Sequence, residues 1–152
     1  TYTQGNLFRV SVPSNWRELA NNNSVWYAPE GAYGSVQNQA IFTHGVNIGV
    51  ANSSSRNLQQ ATDDFIRNLA QGNGNMRQQS GYQRGSIGGR NALAITLSNV
   101  NEATGRQEIV TIYTTQLRSG ELFYVISVVP REEYSTYSRT FQNVLRSIQL
   151  ND

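Results

Sequence analysis

QEIVTIYTTQLRSGELFYVISVVP, residues 107–130, decides the fold. Its two halves, Ile109–Leu117 and Leu122–Val129, are rich in β-branched and aromatic residues, the types that fit a pleated surface. Arg118-Ser119-Gly120-Glu121 between them reads as a turn. A two-residue turn at Ser119-Gly120 needs positive φ, which Gly120 adopts at no steric cost. That register pairs Arg118 with Glu121, Leu117 with Leu122, Thr115 with Tyr124, Tyr113 with Ile126 and Thr111 with Val128. Ile109, Tyr113, Leu117, Leu122, Tyr124, Ile126 and Val128 then share one face, and Val110, Ile112, Phe123, Val125 and Val129 the other. Both faces are apolar, so both are expected to be covered; a hairpin with one solvated face alternates more cleanly. Pro130 lacks an amide donor and ends the second strand.

Two amphipathic helices are available as covers. Leu58, Ala61, Thr62, Phe65, Ile66 and Leu69 fall on one stripe of a 3.6-residue period. Asn57 can cap that helix, with Gln60 in the capping-box position and Gly72 as its left-handed stop. After Pro130, Tyr134, Tyr137, Phe141, Val144, Leu145 and Ile148 share a face. Glu132 and Glu133 lie in its first turn and Arg146 near its end, both favourable to the helix dipole.

The remaining strands are read from alternation. Leu7–Val12 is a first strand stopped by Pro13, whose turn leads to Trp16, and SVWYA, Ser24–Ala28, is a second. The segment from Pro29 to Gln39 reads as an exposed, mobile loop carrying Tyr33. Ala40–Ala51 reads as a third strand, in which Gly45 and Gly49 point to a bulge or a close backbone approach. Met76–Arg84 is a polar strand near an edge, and Gly85–Gly89 breaks the chain. Asn91–Asn99 is stronger: Leu93, Ile95 and Leu97 face one way, and Ala92, Ala94, Thr96 and Ser98 form a small-residue face that lets a helix approach. Gly105 turns the chain into the hairpin, completing a three-strand meander.

The chain of 152 residues, read as one domain over 1–152, is long enough for a full core. The absence of Met at Thr1 points to a processed product or a segment of something longer. All 12 basic residues are arginine, and they are scattered. A nucleic-acid reader would gather them in a patch, so no nucleic-acid partner is expected. There is no cysteine, which excludes disulfides, thiolate metal sites and a cysteine nucleophile. No stretch is long and apolar enough for a membrane helix.

No constellation of residues reads as a catalytic site. His44 is the only histidine, so no two-histidine zinc site and no HExxH helix can be built within these residues. A triad would need a nucleophile and an acid beside His44, and no serine sits in a G-x-S-x-G elbow. Asp63-Asp64 reads as the solvated face of the first helix. Gly85-Ser86-Ile87-Gly88-Gly89-Arg90 is glycine-rich but precedes a strand, where phosphate cradling needs a helix N-terminus. No cofactor is expected in this segment. Trp16, Trp26, Tyr27 and Tyr33 cluster near the N-terminal strands and plug the core edge or form a recognition surface. Tyr27, Tyr33 and His44 are the residues put forward as partner contacts.

The order of elements is three strands, a helix, a four-strand run and a terminal helix. With Pro13-Ser14-Asn15-Trp16, LQQATDDF at 58–65, Gly88-Gly89-Arg90-Asn91-Ala92, LFYVI at 122–126 and FQNVLRSI at 141–148, it resembles the PsbP-like (Mog-type) fold over nearly the whole chain. The resemblance implies an α+β fold: an α/β/α sandwich with a mainly antiparallel sheet of about six to seven strands and two main helices. Members of that fold are mostly non-catalytic. Some assist photosystem assembly in the thylakoid lumen, one group binds a small nuclear GTPase, and many bacterial members are uncharacterised. The sequence is also similar to segments C-terminal to bacterial gluzincin-type zinc metalloproteases, whose HExxH would lie outside this chain. The expectation is an extracytoplasmic, non-catalytic accessory domain acting on a protein partner or on its own catalytic domain. The rival expectation is a stand-alone small-ligand binder or enzyme built around His44.

Overall fold

A hairpin apolar on both sides must be central, and it is. The computed structural model describes residues 2–4, 8–13, 16–20, 24–29, 33–36, 39–42, 45–51, 57–71, 76–78, 81–100, 105, 107–117 and 120–150. In chain order these form β1 (Tyr2–Gln4), β2 (Phe8–Val10), β3 (Trp16–Ala20), β4 (Ser24–Pro29), β5 (Tyr33–Val36), β6 (Gln39–Phe42) and β7 (Gly45–Ala51). Helix α1 (Leu58–Gln71) precedes β8 (Arg77–Gln78), β9 (Gln83–Ile87), β10 (Arg90–Val100), β11 (Gln107–Gln116) and β12 (Leu122–Pro130). A 3-10 turn at Arg131–Glu133 leads into α2 (Tyr134–Ser147) and β13 (Gln149–Leu150).

The main sheet is antiparallel, in the order β3-β4-β7-β12-β11-β10-β8, with β9 also paired to β10. A small sheet β1-β2-β13 and a hairpin β5-β6 complete the described strands. The core is an α+β sandwich with α1 on one face of the main sheet. Helix α2 and the small sheet lie on the other.

The central turn differs from the two-residue reading. The Leu117 amide donates to the Glu121 carbonyl, and the Gly120 amide to the Leu117 carbonyl, each at 2.9 Å. The loop is therefore the three-residue kind, with Gly120 at φ 93° in the left-handed position that closes it. The register moves by one: Gln116 pairs with Leu122, Thr114 with Tyr124, Ile112 with Ile126 and Val110 with Val128. A slip of one residue exchanges the faces of one strand relative to the other. Val110, Ile112, Ile126 and Val128 thus pack with Phe65, Ile66 and Leu69 under α1. Phe123, Val125, Val129, Ile109 and Tyr113 pack with Phe141, Val144, Leu145 and Ile148 under α2.

Each helix docks by its apolar stripe. The Asn57 side chain accepts from the Gln60 amide at 3.0 Å and caps α1. Gln60 does not complete a capping box; its side chain donates to Asp64 instead. The Gly72 stop lies outside the described residues. The expected α2 stripe holds except at Tyr134, which is 42% exposed in the first turn. Glu132 and Glu133 occupy the preceding 3-10 turn rather than the first α-turn.

Four further expectations are corrected. Tyr33–Val36 is not loop but half of a hairpin with Gln39–Phe42. The long third strand is divided into β6 and β7, and β7 pairs with β12 without a bulge from Gly45 to Ala51. Met76–Arg84 is not one strand: β8 and β9 are separate, and Gly85 lies inside β9. The chain reverses at Gly88 and Gly89, whose φ values of 57° and 82° suit the tight turn joining Ile87 to Arg90.

Candidate functional site

Small side chains open a cleft where a helix was expected to close in. Ala92 and Ala94 of β10 point to the α2 side, because Leu93, Ile95 and Leu97 point to α1. Helix α2 packs chiefly on β12 and β2, and a gap remains between it and the β9–β10 hairpin. The gap is a cleft of about 430 Å³. Its lining includes Gln83, Arg84, Ala94, Tyr113, Gln142 and Arg146. The Gln142 amide donates to the Tyr113 hydroxyl at 3.1 Å and ties helix to sheet inside it. Burial raises the Tyr113 pKa and the nearby Tyr134 adds to this, while the Gln142 bond acts the other way. Tyr113 is thus a neutral hydroxyl at physiological pH, fit for hydrogen bonding rather than for taking up a proton.

A second cavity, of about 260 Å³, lies on the α1 side. Trp26, Leu69, Met76 and Ile126 form apolar walls, with Asn47 and Glu108 among its lining. Glu108 is buried and accepts from the Asn99 side chain at 3.3 Å. The Asn47 side chain donates to the Val25 carbonyl at 3.3 Å. These groups are tied to neighbouring strands and hold the wall of that cavity in shape.

Of the residues put forward as partner contacts, only Tyr27 has a described side chain. Tyr27 is 2% exposed, its ring in the α2-side core and its hydroxyl donating to Glu18. Burial therefore places Tyr27 inside the fold and corrects its assignment to a contact surface. Tyr33 lies in β5, and its side chain is outside the described part. His44 lies outside the described residues. Trp16 is buried, its ring edge-on to Phe141 at 6.2 Å between centroids, which is the core-plug alternative for that residue.

Asp63 is more than a solvated carboxylate. The Tyr82 hydroxyl donates to it, linking α1 to the segment before β9. Burial raises the Tyr82 pKa, and the Asp63 hydrogen bond and charge raise it further. Asp64 does face outward, pairing with Arg67 at 3.2 Å. Among the described residues, no group of three or more His, Cys, Asp or Glu is placed to hold a metal ion. Among the described residues, no helix is long and apolar enough to cross a membrane.

The cleft could not be found from sequence because its walls come from β9, β10, β11 and α2. Its one local signal was the run of small residues Ala92, Ala94, Thr96 and Ser98 on one face of β10.

No described protein family and no curated protein matches the chain in sequence. Solved structures do match in shape. Mog1p of Saccharomyces cerevisiae, a Ran-binding protein, superposes with a TM-score of 0.64 at 11% identity, over 97% of this chain and 92% of that one. LpqN of Mycobacterium tuberculosis, involved in cell envelope biogenesis, gives 0.60 at 14% identity, over 95% of this chain and 83% of LpqN. The cyanobacterial PsbP (CyanoP) of Synechocystis gives 0.51 at 12% identity, over 95% and 93%. At these identities the likeness concerns the fold, and the chain has the Mog1/PsbP-like α+β fold from its first strands to its last.

Proposed function

We propose that this chain is a non-catalytic accessory domain that works by presenting a surface to a protein partner. The observation that carries this reading is the match of nearly the whole chain to Mog1p, a Ran-binding protein, together with LpqN of the cell envelope. Fold alone does not transmit function, so the surface itself must be tested. In this reading the domain is extracytoplasmic. It is the C-terminal part of a bacterial zinc metallopeptidase whose HExxH lies outside this segment, and its partner is that catalytic domain. The protease association rests only on the likeness noted in the sequence analysis; Tyr33 is the test residue for the partner surface.

Blotting source cells with an antibody to this segment tests the association. A band much larger than 16.9 kDa supports a longer parent chain. A band near that mass removes the protease reading and leaves the partner-binding one. Loss of partner capture on Tyr33→Ala supports an interface there, and unchanged capture removes Tyr33 from it.

One rival is a small-ligand binder or enzyme using the His44 region; the described lining of neither cavity includes His44. A His44→Ala protein with unchanged binding and activity counts against it.

A further inference from the structure

The cavity on the α1 side holds a buried polar group that the fold leaves half paired. The strand registers put its wall on one face of the sheet. Asn47 stands opposite Ile126 on β12 and Trp26 on β4, so the three side chains emerge together. Val110 stands opposite Val128, and both pack with Ile126 in the α1-side cluster. Leu69 near the end of α1 and Met76 before β8 add further apolar wall.

The Asn47 side chain is 5% exposed, and its nitrogen donates to the Val25 carbonyl at 3.3 Å. That bond fixes which end of the amide is which, since an oxygen turned to the carbonyl would be repelled. Among the described residues, nothing donates to the Asn47 oxygen. A buried acceptor without a donor is costly, and native folds keep few of them. A water at this oxygen would find few other partners, because Trp26, Leu69 and Ile126 offer it apolar walls. The missing donor is better supplied by a molecule that is otherwise apolar.

Charge narrows the class. No basic residue is in the described lining, and Glu108 places a carboxylate in it, so an anion is disfavoured. Glu108 is two strands away from Asn47 and already engaged by Asn99. A cation at Asn47 would shed its water for one neutral acceptor, an unfavourable exchange. The volume of about 260 Å³ lies just under the roughly 300–1,000 Å³ of drug-sized pockets, so the ligand is small. The Trp26 ring suits an aromatic face.

We propose that this cavity binds a small neutral ring compound bearing one N–H or O–H group, which donates to the Asn47 oxygen while the ring packs among Trp26, Leu69 and Ile126. This site is independent of the partner-binding reading above.

The test is an NMR titration of the isotope-labelled whole chain with indole and with indene, which has the same shape and no donor. The chain has two tryptophans, and Trp16 lies in the core on the opposite side of the sheet. Indole should shift the Trp26 ring N–H saturably and leave that of Trp16 in place. Indene should bind at least tenfold more weakly, because it leaves the acceptor unpaired. In Asn47→Leu the preference for indole over indene should vanish, which a mere loosening of the fold would not produce. Met76→Trp, made at a partly buried wall position, should fill the space and weaken indole at least tenfold with the remaining spectrum unchanged. No saturable shift of Trp26, or equal shifts at both tryptophans, overturns the proposal. So does indene binding as tightly as indole, a preference kept in Asn47→Leu, or full affinity in Met76→Trp.

Discussion

The two sides of the main sheet are built differently. The α2 side is covered by a helix and a three-stranded sheet together, and its core contains Phe8, Trp16, Tyr27, Phe123 and Phe141 among fully or nearly buried aromatics. Among the described elements, the α1 side is covered by a helix alone. Its cluster is aliphatic at the sheet, with Phe65, Ile66 and Leu69 only partly buried against it. The α2 side also joins chain ends: Ser147 near the C-terminus accepts from the Ser11 amide at 2.9 Å, and β13 pairs with β2. Stability is therefore expected to reside chiefly on the α2 side, with α1 the more easily loosened layer.

That contrast can be broken most directly with paired aromatic truncations. Phe123 is 0% exposed and sits edge-on to Phe8 at 5.4 Å between centroids. Phe123→Ala should cost about 3–5 kcal/mol, as large-to-small changes in closed cores do. Phe65→Ala, which loses a half-buried ring 4.7 Å from Tyr124, should cost about half as much. Denaturant unfolding of both variants measures the difference; equal losses would show the two sides to be equivalent.

A polar tie makes up part of what α1 lacks in apolar burial. Thr62 and Thr114 share a hydrogen bond of 2.7 Å with both side chains at or below 1% exposure. Thr62 also reaches the Leu58 carbonyl at 2.7 Å. Thr62→Val leaves the Thr114 hydroxyl without that partner and should cost about 1–3 kcal/mol. Adding Thr114→Val should recover part of the loss, because an apolar pair of the same shape leaves no hydroxyl stranded. A double-mutant cycle with no coupling would contradict this.

The helix cap comes next in size. Asn57→Ala removes the acceptor for the Gln60 amide and should cost about 1 kcal/mol, read as a lowered unfolding midpoint with unchanged slope.

The smallest effect sharpens the comparison by pH. Tyr82 on the α1 side and Tyr113 on the α2 side both have pKa values raised from the ordinary 10.0, chiefly by burial. A raised value means the folded chain holds the phenol proton more tightly than the unfolded chain does. The stabilisation is complete below pH 10.0 and is lost as pH rises towards the folded values. Asp63 raises Tyr82 further, whereas Gln142 pulls Tyr113 back. Tyr82→Phe should therefore flatten the alkaline fall in stability more than Tyr113→Phe. Identical alkaline limbs for wild type and Tyr82→Phe would remove Asp63 from the account.

What could be read from residues was whatever a single element carries. The stripe Leu58–Leu69 was helical because its period is, and Asn57 capped it because its side chain reaches an amide three residues on. The apolarity of both hairpin faces required two covers, and the two helices take the two sides. The resemblance to the PsbP-like fold added the order of layers, which the shape matches bear out as fold.

What escaped were features decided between elements. The turn at Leu117–Glu121 allowed two lengths with the same glycine, and the pairing of whole strands chose the longer. The strand character of Trp16–Ala20 and Tyr33–Val36 rests on cross-strand partners rather than on alternation. Tyr27 looked like a surface aromatic until β3 and α2 enclosed it. Sequence by itself determined the two helices and the central strands, the need for a central two-sided sheet and the absence of thiol chemistry, since these depend on local period and composition. Only tertiary structure decided the register, the unequal covering of the two faces and the cleft between the β9–β10 hairpin and α2, because each arises where residues distant in sequence meet.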